Sequence, residues 1–371
     1  MILVTGGAGY IGSHTALKFL ENNNDIIIFD SLENGHIEFI DFLKTQGNVT
    51  FVKGDLKNFD EINKLFDNYK IDTVLHFAGY IQVEESVQNP EKYYTNNVGG
   101  TLNLLKAMLS HEVKKIIFSS TCATYGEPQY TPLDENHPQN PASPYGETKL
   151  IIEKILKDYD KAYGLKSIIL RYFNVIGSED NARIGEWHTP ETHLVPNILK
   201  SSLDEDREFK IYGDNYNTPD GTCIRDYVNV NDLAQAHLLA YKYLNRENKS
   251  DVFNIGTENG ISVKEIFDIC EKVIGKKIPV KIVEKRVGDV EKLYANPTKA
   301  KNILGWKPTH SLEIGIQTAY KWEKKKIRWN GILRVIQTQK NTNRLSKLRL
   351  RLHYKIQHLS LILFLTVNLM N

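Results

Sequence analysis

Tyr145 and Lys149 stand four apart in Pro144-Tyr145-Gly146-Glu147-Thr148-Lys149, so a helix opening at Pro144 carries both on one face. A free phenol titrates near pH ~10. A lysine cation beside it stabilises phenolate, and a second cation at the site draws its pKa further toward neutrality. The expected chemistry is a tyrosine poised as general base. Thr121 follows a short apolar run and supplies a hydroxyl able to bridge a substrate and that tyrosine. Bland readings stay open: Tyr145 as an amphipathic side chain packed at a helix start, Thr121 as a turn residue. The same spacing recurs at Tyr320 and Lys324. Only the first pair follows a run of strands and helices that could place a cofactor against it.

That cofactor has its own signature. Thr5-Gly6-Gly7-Ala8-Gly9-Tyr10-Ile11-Gly12 follows the apolar run Ile2-Leu3-Val4 and opens a helix expected over Tyr10–Phe19. The G-x-x-G-x-x-G turn lets backbone approach a pyrophosphate, whose charge sits on the helix N-terminus. A second strand, Ile26–Phe29, ends in Asp30, an acid placed to accept from ribose hydroxyls and to repel a 2′-phosphate. NAD is expected, in preference to NADP.

The elements that would position these groups alternate. Strands are expected at 49–53, 73–77, 115–119 and 167–171, and helices at 60–69, 90–110 and 144–163. The fold class is α/β, a Rossmann-type doubly wound parallel sheet over residues 1–175 with ligands beyond the strands' carboxyl ends. Residues 176–321 are richer in loops and are expected to form a smaller α/β substrate-binding domain. Residues 322–371 read as an atypical basic tail, an extension or the product of a shifted reading frame. It carries 11 Lys/Arg against one acid, leaving 36 basic and 44 acidic residues elsewhere, a net of −8. The mildly acidic body has no nucleic-acid footprint, and the apolar run 359–367 is too short to span a bilayer.

Cys122, Cys223 and Cys270 form no C-x-x-C, so neither disulfides nor a zinc site is suggested, and a cytoplasmic setting is expected. The first strand begins at residue 2, leaving no room for a signal peptide. His188-Thr189-Pro190-Glu191-Thr192-His193 carries metal-ligand residue types, but its proline-interrupted loop fixes no face and the chemistry needs no metal; none is expected.

Together, Thr5–Gly12, Asp30, Tyr145-x-x-x-Lys149, Arg171-Tyr172-Phe173-Asn174 and Arg225-Asp226-Tyr227-Val228 resemble the extended short-chain dehydrogenase/reductase superfamily. More narrowly, Gly12-Ser13-His14-Thr15, His76-Phe77-Ala78-Gly79 and Asp220–Tyr227 resemble the UDP-glucose 4-epimerase family, over residues 1 to about 321. The resemblance implies reversible C4 epimerisation of a UDP-hexose through a 4-keto sugar, with tightly held NAD. It assigns Gly6, Gly9, Tyr10, Ile11, Gly12, Asp30, Asp55, Leu56, Phe77, Ala78, Gly79, Asn96, Ser119, Tyr145, Lys149, Tyr172 and Phe173 to the cofactor. To the substrate it assigns Thr121, Asn174, His193, Leu194, Arg225, Tyr227, Arg286, Asp289 and Leu293. Two readings stay open beside these: Arg225 with Asp226 as a local ion pair, and Tyr172 and Phe173 as core aromatics. A homodimer is implied too, through helices 92–110 and 149–163.

Departures sharpen the reading. Related 4,6-dehydratases place Asp-Glu after the bridging hydroxyl, and decarboxylases a Glu nearby; here Cys122-Ala123 follows Thr121. Ile81 stands where many epimerases have a cofactor lysine. Leu293 replaces a bulky aromatic against the sugar 2-substituent, so UDP-N-acetylglucosamine is an alternative or additional substrate.

Overall fold

The computed structural model describes residues 1–204, 206–286 and 289–341. It divides into two compact units, Met1–Glu323 and Lys324–Asn371. Of the second, residues 324–341 are helical; the rest of the basic tail, with its apolar run, lies outside the described residues.

Within the first unit the chain alternates as expected: β1 (Ile2–Thr5), α1 (Tyr10–Leu20), β2 (Ile26–Asp30), α2 (Ile37–Lys44), β3 (Val49–Lys53), α3 (Phe59–Asn68) and β4 (Thr73–His76). Then come α4 (Val83–Gln88), α5 (Pro90–Tyr93), a π-helical turn (Tyr94–Gly99), α6 (Gly100–Ser110), β5 (Lys115–Thr121), α7 (Pro144–Tyr163) and β6 (Lys166–Tyr172). Strand runs such as Ile26-Ile27-Ile28-Phe29 are apolar throughout because both faces are covered. Ile2 and Val4 face one core with Phe19 and Phe39. Leu3 and Ile27 face the other, with Ile62 and Leu104.

The later segment comprises β7 (Asn174–Ile176), α8 (Leu194–Leu203), β8 (Phe209–Tyr212), β9 (Ile224–Arg225), β10 (Tyr227–Asn229), α9 (Val230–Glu247) and β11 (Asp251–Ile255). It ends with β12 (Ile261–Ser262), α10 (Val263–Ile274), β13 (Val280–Val283), β14 (Lys292–Leu293) and α11 (Leu312–Asn341). A seven-stranded parallel sheet runs β11-β6-β5-β4-β1-β2-β3. The order reverses between β1 and β4, and the crevice there is where such sheets bind ligands. Residues beyond 175 therefore do not stand wholly apart: β11 pairs with β6, and α9 supplies Leu233 and Leu244 to the core that holds Ile2. The remaining strands form three small sheets, β10-β7, β12-β9-β14 and β13-β8.

One helix differs from expectation. The stretch 90–110 is broken by the π turn, because Asn97 turns inward to accept from Tyr80 N (2.8 Å) and to donate to Tyr80 O (3.1 Å). The extra residue in the turn lets the helix serve that loop, a use of π geometry common near functional sites.

Candidate active site

Backbone shape builds the cofactor side. Gly6 has φ +73°, and a Cβ there would lie 2.6 Å from Ala78 N. A Cβ on Gly12 would overlap the Gly6 carbonyl. The first bond into α1 is Ser13 N to Gly9 O (3.0 Å), so the amides of Tyr10, Ile11 and Gly12 point out of the helix start. Tyr10 brings only backbone to this end; its buried hydroxyl donates to Gly177 O at 2.6 Å. Asp30 accepts from Ala8 N (2.9 Å) and Leu32 N (2.8 Å), bracing the glycine turn. Burial raises its pKa while those amides oppose the rise.

Across the crevice, Asn96 donates to Asn97 Oδ1 (3.0 Å), beside Gly79. Leu56 is buried beneath Gly100. Asp55 is solvent-accessible and paired with Lys57 at 3.3 Å. Ile81 is exposed.

The chemistry-bearing side chains meet at the carboxyl end of β5. Ser143 caps α7 by accepting from Gly146 N (3.2 Å), and Pro144 takes the first turn, which sets Tyr145 at the helix mouth. Tyr145 is hydrogen-bonded with Thr121. Lys149, one turn on, is buried and donates to Ser119 O at 2.8 Å. Burial dominates the electrostatics of this pair. Burial pushes the Tyr145 phenol up to about 12, and the Thr121 hydrogen bond only opposes this. Burial likewise lowers Lys149 to about 8, against the pull of Glu153.

Tyr172 hydrogen-bonds Ser119 Oγ, and Phe173 is buried with Tyr125, Leu133 and Ala295. Leu293 packs on that same cluster, as does Cys122. On the substrate side Asp226 is not the partner of Arg225: it accepts from Thr257 N (2.8 Å) and Ala295 N (3.1 Å), buried. Arg225 faces Asp289 instead, at 3.9 Å. Arg286 lies 3.8 Å from the Tyr212 ring centroid. Tyr227 pairs in register with Asn174, and His193 stands at the start of α8, just ahead of Leu194, without a side-chain capping bond.

Sequence reasoning missed the layer beneath these groups. Arg171 holds Glu153 with two nitrogens (3.0 and 2.6 Å), and Ser120 Oγ donates to the same carboxylate at 2.5 Å. Glu153 stands four after Lys149, so the helical spacing that linked Tyr145 to Lys149 points onward to it. His76 was also missed. Thr101 Oγ1 donates to Asn97 O (2.6 Å) and so accepts from His76 Nε2 (2.8 Å), leaving Nδ1 to accept from Thr5 Oγ1 (2.7 Å). Burial and Lys149 hold this imidazole neutral, at about 3.

The loop dismissed as a metal site is drawn together. Glu186, His188, Glu191 and His193 each bring a ligand atom to within 4.8 Å of the others. The two carboxylates raise His193 to about 10 against the opposing effect of burial.

A Tyr–Lys pair on the helix after the fifth strand of a doubly wound sheet, facing a glycine-rich turn, marks the extended short-chain dehydrogenases/reductases. A family model described as GDP-mannose 4,6 dehydratase matches residues 3–319. The UDP-glucose 4-epimerase of Halalkalibacterium halodurans is 49% identical over 324 residues, 87% of this chain and 95% of that protein. The structure of UDP-glucose 4-epimerase from Bifidobacterium longum in complex with NAD+ and UDP matches with TM-score 0.83 and 37% identity, over 88% of this chain and 98% of that one. The UDP-Glc/GlcNAc 4-epimerase from Campylobacter jejuni matches with TM-score 0.77 and 41% identity, over 87% and 99%. The chain belongs to the UDP-glucose 4-epimerase family of the extended short-chain dehydrogenases/reductases.

Proposed function

We propose that this protein interconverts UDP-glucose and UDP-galactose by reversible oxidation at C4, retaining NAD through the cycle. The observation that carries the reading is the Thr121–Tyr145–Lys149 set continued by Cys122 and Ala123. A proton acceptor is at hand, and neither residue after Thr121 is an acid that could expel water from the sugar. Relatives named UDP-glucose 4-epimerase support it.

The residues fit NAD. The Gly6 and Gly12 positions have no room for a Cβ, the amides opening α1 are placed to receive an anion, and Asp30 keeps a carboxylate at the end of β2. Asp55, Leu56, Phe77–Gly79, Asn96 and Ser119 would line the rest of the dinucleotide, with Tyr172 and Phe173 nearest the nicotinamide. When bound, NAD supplies hydride exchange at C4 and a positive charge near Tyr145. Thr121 passes the 4-hydroxyl proton to Tyr145, which holds it and returns it. Lys149 orients the site and offsets the phenolate charge. Arg225, Arg286 and Asp289, with Asn174, His193, Leu194 and Tyr227, hold the UDP end, so the sugar can turn while its handle stays fixed.

Incubation with UDP-galactose and no added NAD, followed by anion-exchange chromatography, should yield UDP-glucose. No turnover even with NAD supplied overturns the reading.

Leu293 favours a second activity on UDP-N-acetylglucosamine. It packs beside Phe173 and Cys122 as an aliphatic side chain, leaving more space than a tyrosine would. The Campylobacter jejuni relative is named for both sugars. Leu293→Tyr should abolish turnover of the N-acetyl sugar alone; equal loss on both sinks the idea.

The enzyme is proposed to be a cytoplasmic homodimer. Free Cys122, Cys223 and Cys270 suit a reducing compartment, and exposed Tyr94 in the π turn and Leu102 in α6 give the 92–110 segment apolar side chains on its surface. Light scattering should report twice the chain mass, reduced by Leu102→Glu; a monomeric parent protein rules the dimer out. Among the described residues no helix is long and apolar enough to cross a membrane.

A further inference from the structure

Glu186, His188, Glu191 and His193 lie in the loop between β7 and α8, outside any helix, yet their ligand atoms converge. His193 Nδ1 lies 2.7 Å from Glu186 Oε1 and 3.2 Å from Glu191 Oε1. His188 Nδ1 lies 3.3 and 3.8 Å from the same two oxygens. Four ligands at tetrahedral zinc distances of ~2.0–2.2 Å stand ~3.4 Å from one another; the four histidine–carboxylate separations straddle that value, and all four atoms lie within 4.8 Å of one another. Pairwise ion pairs account for the geometry poorly: His188 Nδ1 is buried without a hydrogen-bond partner, although two carboxylates flank it. Glu191 Oε2 is also buried without one, with Lys200 Nζ 3.8 Å away. Once Zn2+ displaces their protons, two imidazoles with two carboxylates balance the charge of a divalent cation, and the mixed nitrogen–oxygen set suits zinc better than magnesium or calcium.

We propose that these four residues form a tetrahedral Zn2+ site with a structural role. Its loop is tied to the cofactor turn. Trp187, between two of the ligands, stacks on His36 (centroids 4.1 Å apart) and its carbonyl meets His36 Nε2 at 2.9 Å. His36 N in turn donates to Ala8 O (2.9 Å), within the glycine-rich segment. Trp322 Nε1 donates to the Glu186 carbonyl at 2.8 Å. An ion here fixes the wall that closes over the dinucleotide turn, and it takes no part in proton transfer at Tyr145.

The test is metal analysis of the untagged full-length protein, as purified and after chelation and re-addition of Zn2+. One zinc per chain, with a melting temperature that falls on chelation and recovers with zinc, is expected. Co2+ in its place should give the intense visible bands of a tetrahedral N/O site. His188→Ala and Glu191→Gln should each weaken zinc binding by more than about 10-fold, since changes to mere outer partners of a ligand already cost that much. Wild-type protein that neither contains nor takes up zinc overturns the proposal, as does full zinc retention in both variants. Should the variants misfold, the cobalt spectrum and zinc stoichiometry of the wild type decide alone, independently of whether the sugar is turned over.

Discussion

Tyr145 is subject to opposing forces whose balance sets the chemistry. Burial raises its pKa to about 12, so the hydroxyl stays protonated at neutrality unless net positive charge gathers around it. Lys149 is the chain's own source of such charge, one helical turn away. Removing it as Lys149→Met should lower kcat and move the acid limb of the kcat–pH profile upward, because the phenol would then lose its proton only at higher pH. A lower kcat with an unmoved limb would assign Lys149 to binding alone. Tyr145→Phe removes the proton acceptor and should cost about 10²–10⁴ in kcat while bound NAD persists. Loss of the cofactor along with turnover would contradict that division of roles.

At the scale of elements, α7 carries more than the reactive pair. Its third turn presents Glu153, whose carboxylate is clamped by Arg171 of β6 and Ser120 of β5, both partners buried. Tyr125 receives Arg171 Nη1 (2.9 Å) and donates to Asn254 Oδ1 of β11 (2.7 Å), so four elements share one polar knot. Breaking such a pair leaves a charge buried without its counterpart. Glu153→Gln should therefore cost about 3 kcal/mol or more, read by urea denaturation. Glu153 also supports the charge on Lys149, so the alkaline limb of activity should move to lower pH in the same variant. A stability change under ~1 kcal/mol would show that the knot contributes little beyond packing.

The whole molecule keeps several histidines neutral inside its core. His14 and His237 each offer Nδ1 to a backbone carbonyl, leave Nε2 buried without a partner, and are lowered by burial to about 4. Unfolded, each would titrate near 6.5. Between these values the unfolded chain binds more protons than the folded one, so stability rises with pH through that window and falls on acidification. Each ring contributes up to ~3 kcal/mol of that loss once the pH nears its folded value. Calorimetry should show the melting temperature dropping from pH about 6.5 downward, and His237→Phe should flatten the slope. Identical slopes in parent and variant would assign the acid sensitivity to carboxylates instead.

The chain order of residue types was enough to place β1 to β6 with α1, α3 and α7, because short runs rich in apolar and β-branched residues alternate there with longer amphipathic ones, whereas α2, α4 and the break within 90–110 were not legible in it. It was also enough to set Gly6–Gly12, Asp30 and Tyr145–Lys149 at the carboxyl ends of one sheet, since local spacing and strand order leave them nowhere else. Tertiary structure decided what local spacing cannot express. Asp226 turns from Arg225 to distant backbone amides, β11 returns from residue 251 to the sheet, and a π turn brings Asn97 to Tyr80. It also decided how strongly burial shifts Tyr145 upward and Lys149 downward, since burial is a property of the packed molecule that no local spacing expresses. The gathering of Glu186, His188, Glu191 and His193 belongs to the same class: a loop has no period, so only its folded path could bring those four atoms to one point.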